Sequence, residues 1–254
     1  MMNRFHISTI DENAADTARE FGLGIEIADF CWAQRIDLDM EENLAAAREK
    51  TLCAGSMWFH APFAEITPCA IDPKVRALTA ERYRQSIKLA EKLGIKRLVI
   101  HGGFIPHVYF PSHYVSESIR FWRGFLDAAP EDLVIALENV MEPGPEMLVE
   151  IAEGVCDPRL GLCLDIGHAN TEVSRTPVFD WIAPMAKHLK HVHIHNNHGG
   201  DDLHLPLGEG SLDCERLISE VMRVCPNATF TIEDQHSSDS VKWLIEKGFL
   251  NDRR

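Results

Sequence analysis

The stretch Val75–Gly102, VRALTAERYRQSIKLAEKLGIKRLVIHG, contains a structural unit that repeats along the chain. Its first part, Val75–Leu93, is amphipathic with helical spacing, and Gly94 follows it in the place of a helix-ending glycine. Its second part, Arg97–Gly102, is a short apolar run of the kind that forms a strand buried on both faces. The stretch therefore predicts a helix and then a strand that ends in a polar residue, His101.

The same alternation of amphipathic stretches and short apolar runs extends to both ends of the chain. The predicted strands are Arg4–Thr9, Gly22–Phe30, Met57–Pro62, Arg97–Gly102, Leu133–Asn139, Leu160–Asp165, His191–His195 and Thr229–Glu233. The predicted helices are Asn13–Phe21, Leu44–Leu52, Val75–Leu93, Tyr114–Ala128, Glu146–Val155, Phe179–Leu189, Cys214–Val224 and Val241–Phe249. Eight strands, each followed by a helix, are typical of a closed barrel, although an open doubly wound sheet has the same order. No Gly-x-Gly-x-x-Gly turn follows the first strand, so we predict one α/β domain over residues 1–254, a (β/α)₈ TIM barrel.

Charge and composition limit the partners of the chain. Its 254 residues include 25 basic and 39 acidic side chains, and the net charge of −14 disfavours nucleic acid as a partner without excluding it. No apolar stretch approaches the roughly 18 residues that cross a membrane, and the N-terminus lacks a signal-peptide pattern. The seven cysteines are odd in number and form no Cys-x-x-Cys pair. We expect a cytoplasmic protein with reduced thiols. A homodimer that forms through the outer helices is compatible with the sequence.

Polar side chains end six consecutive predicted strands, from the third to the eighth. The residues at these positions are His60, His101, Glu138, Asp165, His193 and Glu233. At the mouth of an apolar barrel, a buried carboxylate or imidazole costs several kcal/mol unless it is paired or bound to a metal. Mixed imidazole and carboxylate ligands suit zinc, manganese, iron or cobalt better than calcium or magnesium. The sequence therefore predicts a divalent-metal site at the C-terminal ends of the strands.

The seventh strand carries three alternating histidines, His191, His193 and His195. They point to the same side of the strand at intervals of about 6–7 Å, so a straight strand cannot bring all three to one metal ion. We assign His193 as the metal ligand and expect His195 to contact the ligands or the loop above them. His191 is interpreted as a histidine packed in the barrel interior.

Three motifs carry a family resemblance that extends over essentially the whole chain, from Gly24 onward. They are Leu164-Asp165-Ile166-Gly167-His168, His193-Ile194-His195-Asn196-Asn197 and Asp202-Leu203-His204-Leu205-Pro206-Leu207-Gly208-Glu209-Gly210. With these motifs the chain resembles the xylose-isomerase-like TIM-barrel superfamily. That superfamily contains sugar-phosphate isomerases, ketose 3-epimerases and DNA-repair enzymes of the endonuclease IV type (AP endonuclease family 2).

The resemblance to ketose epimerases implies one set of roles. Their single metal ion is bound by a Glu, an Asp, a His and a second Glu, which match Glu138, Asp165, His193 and Glu233. Glu138 and Glu233 would also be the catalytic pair that exchanges protons with the substrate, beside a carbonyl that the metal polarises. The first hypothesis is therefore a divalent-metal-dependent sugar or sugar-phosphate isomerase or epimerase, in which His168 holds a sugar hydroxyl.

The resemblance to endonuclease IV implies a second set of roles, because such enzymes bind three zinc ions with additional ligands. The additional positions match His60, His101, His168, Asp202 and His204. Epimerases more typically carry an arginine in the loop of Asp202, so the ligand set agrees with the multi-metal pattern. The second hypothesis is a multi-zinc phosphoesterase, and the third is a barrel that binds metal and a small ligand without catalysis. We expect about one to three divalent ions per chain.

Five residues are predicted to contact a small carbohydrate or sugar-phosphate substrate. They are Glu26, His107, Asn139, His195 and Glu209. Glu26 has an alternative role in pairing with a polar group of a neighbouring strand, and His107 lies in an irregular loop. Glu209 has two alternatives, which are to orient a ligand histidine or to cap the following helix.

Overall fold

Eight parallel strands form a closed barrel in the computed structural model, which describes residues 4–52 and 54–251. The strands are β1 (Phe5–Ser8), β2 (Gly24–Ile27), β3 (Met57–His60), β4 (Arg97–His101), β5 (Val134–Glu138), β6 (Leu160–Asp165), β7 (Leu189–Ile194) and β8 (Thr229–Ile232). They follow chain order around the barrel, and β1 pairs with β8 to close it. The closed parallel sheet confirms the predicted (β/α)₈ TIM barrel.

Helices alternate with these strands along the described chain. They are α1 (Ala14–Phe21), α2 (Gln34–Asp37), α3 (Met40–Thr51), α4 (Pro73–Lys92), α5 (Pro111–Leu126), α6 (Glu146–Val155), α7 (Val178–Met185), α8 (Cys214–Val224) and α9 (Ser237–Glu246). The N-terminus of α4 is capped by Asp72, whose side chain accepts a hydrogen bond from the Lys74 amide. Gly94 follows α4 at a φ of 75°, so this residue ends the helix as predicted.

Several predicted boundaries differ from the observed ones by two to four residues, among them both ends of the last helix, and two of the differences are instructive. The helix predicted over Phe179–Leu189 ends at Met185, because Leu189 already pairs with β6 as the first residue of β7. The strand predicted over Gly22–Phe30 is limited to β2, since Gly22 adopts a left-handed conformation at the end of α1. In both cases a tertiary or capping contact ended an element that hydrophobic pattern alone would have extended.

A small apolar layer supports the mouth of the barrel. It consists of Trp58, Val99, Ala136 and Cys163. Each of these residues stands two positions before a predicted metal ligand on the same strand, and side chains two positions apart share one face of a strand. The layer therefore lies below the predicted ligands, where Trp58 also stacks on the buried His191.

The sequence predicts neither membrane spans nor disulfide bonds. Within residues 4–52 and 54–251, the helices are too short or too polar to cross a membrane. The cysteines of these residues are free thiols, and Cys53 lies outside the described part of the chain.

Candidate metal centre

Seven predicted metal ligands line one cavity of about 540 Å³ at the C-terminal ends of the strands. They are His60, His101, Glu138, His168, Asp202, His204 and Glu233. The two remaining predicted ligands, Asp165 and His193, are fully buried. Nδ1 of His193 is 3.7 Å from Asp165 and 3.2 Å from Glu138, so all nine residues belong to one connected cluster.

Four of these residues form what we term the deep group: Glu138, Asp165, His193 and Glu233. Their donor atoms lie within 4.8 Å of one another, close enough to bind one ion. Nδ1 of His193 is 3.2 Å from Oε1 of Glu138 and 3.0 Å from Oε2 of Glu233. Three carboxylates around one imidazole carry a negative charge that a divalent ion would balance.

Glu138 also belongs to a second set, the β3–β4 group, together with His60 and His101. The Nε2 atoms of His60 and His101 lie 3.3 and 3.5 Å from Oε2 of Glu138. This oxygen is buried and accepts no hydrogen bond from the described residues. An ion held by the two imidazoles would give the buried oxygen a partner, so these residues fit a metal.

A third set, the loop group, consists of His168, Asp202 and His204. Oδ2 of Asp202 lies 3.2 Å from Nε2 of His168 and 2.9 Å from Nε2 of His204. His204 has a φ of 47°, in the left-handed region that residues other than glycine rarely adopt. A β-bridge between Asn196 and Leu205 holds the adjacent backbone, so the loop after β7 directs two ligands at the site.

Three of the predicted ligand histidines have a fixed partner at their Nδ1 atom. Nδ1 of His60, His168 and His204 each lies within 2.9 Å of a backbone carbonyl oxygen. A carbonyl oxygen only accepts a hydrogen bond, so each Nδ1 carries a hydrogen and the neutral ring keeps its Nε2 lone pair toward the groups. Histidines that bind metals are typically oriented in this way.

The charges of the site shift the pKa values of its acids and bases in opposite directions. Burial opposes the ionisation of Glu138, but the neighbouring histidines, His193 foremost, hold the pKa of this carboxyl well below its usual range. Burial also opposes the protonation of His168, but Asp165 and Asp202 hold the pKa of its imidazole well above the ordinary value. The carboxylates thus favour a proton on His168, and a divalent ion that binds there would displace it. His101 differs, because burial lowers the pKa of its imidazole to about 3.

A comparison with protein families identifies the fold family. The family model described as the xylose isomerase-like TIM barrel matches residues 16–249, which is most of the chain. The chain belongs to this family. The resemblance that the three sequence motifs carry is thereby confirmed.

Two relatives place this xylose isomerase-like barrel among known proteins. The uncharacterized protein MJ1311 of Methanocaldococcus jannaschii is 32% identical over 194 residues, which are 72% of this chain and 66% of MJ1311, just under two thirds. A protein of Mycobacterium leprae named probable endonuclease 4 is 23% identical over 202 residues, which are 75% of this chain and 78% of the relative.

Two solved structures are similar over nearly the full length of this xylose isomerase-like barrel. A D-tagatose 3-epimerase-like protein matches with a TM-score of 0.79 and 25% identity and covers 97% of each chain. The protein TTHB071 from Thermus thermophilus, soaked with ZnCl₂, matches with a TM-score of 0.74 and 25% identity and covers 98% of each chain. Relatives of this chain therefore carry the names of epimerases and of endonucleases, which places it in a family of enzymes with more than one reaction.

In this xylose isomerase-like barrel, Glu26 lies beneath His193 and away from the cavity wall. Its side chain is fully buried, and its Oε1 is 3.0 Å from Nε2 of His193. Its Oε2 accepts a hydrogen bond from the Thr231 hydroxyl at 2.6 Å and lies 3.1 Å from Nε2 of His191. These contacts hold His193 with Nδ1 toward the deep group, and the predicted substrate contact of Glu26 stays a prediction.

Asn139 and His195 both support Asp165. The Asn139 side chain donates to the Asp165 carbonyl at 2.9 Å and accepts from the Asp165 amide at 2.8 Å. Nε2 of His195 lies 3.0 Å from Oδ1 of Asp165, and its ring stacks on His204 with centroids 4.0 Å apart. A Cβ atom on Gly167 would lie 1.9 Å from Cε1 of His195, so glycine leaves the room for this ring. Both predicted substrate residues thus contact predicted metal ligands, and neither is among the described residues that line the metal cavity.

His107 and Glu209 lie apart from the metal cavity. His107 has a φ of 65° and lines a second cavity beside the loop after β4. Glu209 is exposed and lies outside the set of described residues that line the metal cavity. The helix after it, α8, is capped by Asp213, whose side chain accepts from the Arg216 amide, so the capping alternative for Glu209 was wrong.

Eight of the described residues that line the metal cavity were not predicted as site residues, among them Cys31, Trp32 and Phe63. Phe63 stacks on the ring of His101 with centroids 4.5 Å apart, and Sγ of Cys31 lies 3.2 Å from Nδ1 of His60. Apolar and sulfur-containing residues just after a strand have the same sequence pattern as core residues. No local signal therefore separated these three residues from the core.

Proposed function

We propose that this barrel is a multinuclear metal-dependent phosphoester hydrolase that acts on a small substrate. The proposal depends above all on Glu138, whose two oxygens serve different groups. Oε1 faces His193 of the deep group at 3.2 Å, while Oε2 faces His60 and His101 at 3.3 and 3.5 Å. A carboxylate shared in this way can hold two adjacent ions, an arrangement typical of phosphoesterase centres.

The same contacts disfavour proton transfer by Glu138. An isomerase or epimerase needs an oxygen of this residue directed at the substrate, within the roughly 2.6–3.2 Å over which a general base reaches its proton. Both oxygens of Glu138 instead face imidazoles. The geometry therefore favours phosphoester hydrolysis over the isomerisation that the sequence alone favoured.

The deep group, the β3–β4 group and the loop group would hold one divalent ion each, of the zinc, manganese, iron or cobalt class. When bound, such ions lower the pKa of a water molecule and balance the charge that develops on phosphoester oxygens. The chain itself orients two of the residues that would bind metal. Glu26 holds His193, while Asn139 and His195 hold Asp165. A rigid ligand shell of this kind keeps the donors in position before substrate binds.

The charges around the centre favour a small substrate over a nucleic-acid duplex. The described residues that line the metal cavity include no lysine or arginine, and the chain has a net charge of −14. Binding of a duplex depends on several basic contacts to its phosphates. A small phosphoester needs only the metal centre to balance its charge, so it suits this surface better.

Sugar epimerisation is the second candidate, and it is supported by the deep group. Glu138, Asp165, His193 and Glu233 suffice to bind one ion. A chain named D-tagatose 3-epimerase-like is 25% identical and covers 97% of this chain. In this case Glu138 and Glu233 would transfer protons, and the β3–β4 and loop groups would contact substrate hydroxyls.

Metal content and two activity assays distinguish these candidates. Protein purified without a histidine tag should contain about two to three ions of the zinc, manganese, iron or cobalt class by elemental analysis. Loaded protein should hydrolyse bis(4-nitrophenyl) phosphate, and His204→Ala should lower kcat/KM by about 100-fold or more because the loop group is lost. His198→Ala changes an exposed histidine of the same loop and should leave the rate unchanged.

Two other outcomes would reject the proposal. One ion per chain, with a ketose epimerisation that survives His204→Ala but not Glu233→Gln, would replace hydrolysis by epimerisation. Bound metal without either activity would favour the third hypothesis, a barrel that binds metal and a small ligand without catalysis.

A further inference from the structure

A second cavity, of about 560 Å³, lies on the same face of the barrel as the metal cavity. It is formed by the loops after β4, β5 and β6, the strands that end in His101, Glu138 and Asp165. Val140 lines the metal cavity, and the next residue, Met141, lines the second cavity. Consecutive residues of the loop after β5 therefore line the two cavities.

The wall of the second cavity is apolar and exposed. Phe110 is 80% exposed, Val108 is 56% exposed and Met141 is 42% exposed. Most of the large apolar side chains that are exposed in the described chain lie, like these three, on connections that lead from a strand to its following helix. Single exposed apolar residues are common on protein surfaces, but their concentration around a cavity indicates a binding site.

The second cavity also contains a basic side chain that the hydrolytic centre does not use. Arg175 lines it and is the one lysine or arginine among the described residues around either cavity. Its guanidinium makes no hydrogen bond or ion pair with the described residues, although Glu172 lines the same cavity. Small-molecule sites typically have volumes of about 300–1,000 Å³, apolar walls and a few polar groups. The second cavity has all three properties.

We propose that the second cavity binds the apolar, aryl-sized part of the phosphoester substrate, and that Arg175 contacts an oxyanion at its far end. The inference rests on the proposed function, since the phosphoryl group would be held at the metal centre. A second copy of the chain is the alternative occupant. A concave space between three loops suits a small ligand better than a dimer face, which buries about 800 Å² on each partner.

Three phosphonates test this inference without requiring turnover. Methylphosphonate, benzylphosphonate and 4-carboxybenzylphosphonate share a headgroup for the metal centre and differ in what they offer the second cavity. Calorimetry on zinc-loaded protein should show about tenfold or tighter binding of benzylphosphonate over methylphosphonate, because burial of a phenyl ring is favourable. The carboxylate of the third compound should tighten binding again, by about fivefold or more, through Arg175.

Matched variants assign these gains to particular side chains. Phe110→Ala should reduce the preference for benzylphosphonate by about threefold or more, because the ring then buries less apolar surface. Leu78→Ala removes an apolar side chain of α4 that is 46% exposed and far from the cavity loops in sequence, and it should leave the preference unchanged. Arg175→Gln should abolish the gain from the carboxylate while the preference for the benzyl group is retained.

Three results would overturn the inference. Equal affinities for methylphosphonate and benzylphosphonate would reject the second cavity as a subsite and leave the proposed hydrolysis intact. No binding of any phosphonate to the zinc-loaded protein would reject both the proposed function and the subsite. A dimer in sedimentation velocity that Phe110→Ala dissociates would assign the surface to a second copy of the chain.

Discussion

Replacement of Glu26 by glutamine tests how far metal binding depends on a residue that does not line the cavity. Oε1 of Glu26 lies 3.0 Å from Nε2 of His193, and Oε2 accepts a hydrogen bond from Thr231. The carboxylate therefore holds the hydrogen of His193 on Nε2 and leaves the lone pair of Nδ1 toward the deep group. Glutamine has no charge and only one acceptor oxygen, so Glu26→Gln leaves at most a weaker, neutral acceptor for His193.

The expected effect is a loss of metal affinity in one group. Removal of the partner of a metal-binding histidine typically weakens binding by about 10–100-fold, which corresponds to about 1.4–2.7 kcal/mol. Glu26 is fully buried, so bulk water cannot take its place beside His193. His193 belongs to the deep group, so the binding step of that group should weaken most.

Equilibrium dialysis against chelator-buffered zinc, followed by elemental analysis, measures each binding step. Glu142→Gln is the matched control, because Glu142 is a buried carboxyl that accepts hydrogen bonds from Tyr114 and the Val140 amide and belongs to none of the groups. Circular dichroism verifies that both variants are folded. A zinc affinity of Glu26→Gln within about twofold of the parent, or an equal loss in Glu142→Gln, would refute the reasoning.

Three further predictions concern packing and metal content. Gly167→Ala should destabilise the fold by about 1–3 kcal/mol in urea titrations, because its methyl group would lie 1.9 Å from Cε1 of the buried His195. Gly124→Ala, in open space on α5, should instead stabilise it by about 0.5–1 kcal/mol, and equal effects would contradict the packing argument. Tyr114→Phe removes the hydroxyl that donates to Oε1 of the buried Glu142 at 2.7 Å, so urea unfolding should show a loss of about 1–3 kcal/mol, and an unchanged midpoint would contradict this. Chelation of the metal should lower the melting temperature by about 2–4 °C for each kcal/mol of binding free energy, and zinc should restore it, whereas an unchanged melting temperature would argue against metal binding to the native state.

The order of elements and the clustering of the predicted ligands at the barrel mouth could be predicted because both depend on local patterns. In Arg97–His101, alternate side chains share a face, so the histidine at its end lies at the mouth of a parallel barrel. Element boundaries were less predictable where pairing decides them. Leu189 continues a helical apolar pattern in the sequence, but its pairing with Leu162 makes it the first residue of β7.

The roles of the polar residues around the predicted ligands could not be predicted. These roles depend on which donor and acceptor atoms the fold brings within hydrogen-bonding distance. Asn139 follows a predicted ligand directly and was therefore expected to face substrate. Its side chain is instead taken up by the amide and carbonyl of Asp165 on the adjacent strand β6. The pairing of β5 with β6 brings these groups together. Spacing along the chain does not indicate with which backbone groups an amide side chain will form hydrogen bonds.

The linear pattern of the chain was sufficient to predict the (β/α)₈ barrel and the set of ligand-type residues at its mouth. The alternation of strands and helices and the residues at strand ends are both local properties of the sequence. Closure of the barrel was needed to establish that Glu138 has one oxygen toward each of two groups and that Glu26 lies under His193. Glu26 is on β2 and His193 is on β7, two strands that do not pair. Their 3.0 Å contact therefore results from the curvature of the sheet and the register of the strands between them, which bring residues 167 positions apart to one point inside the barrel.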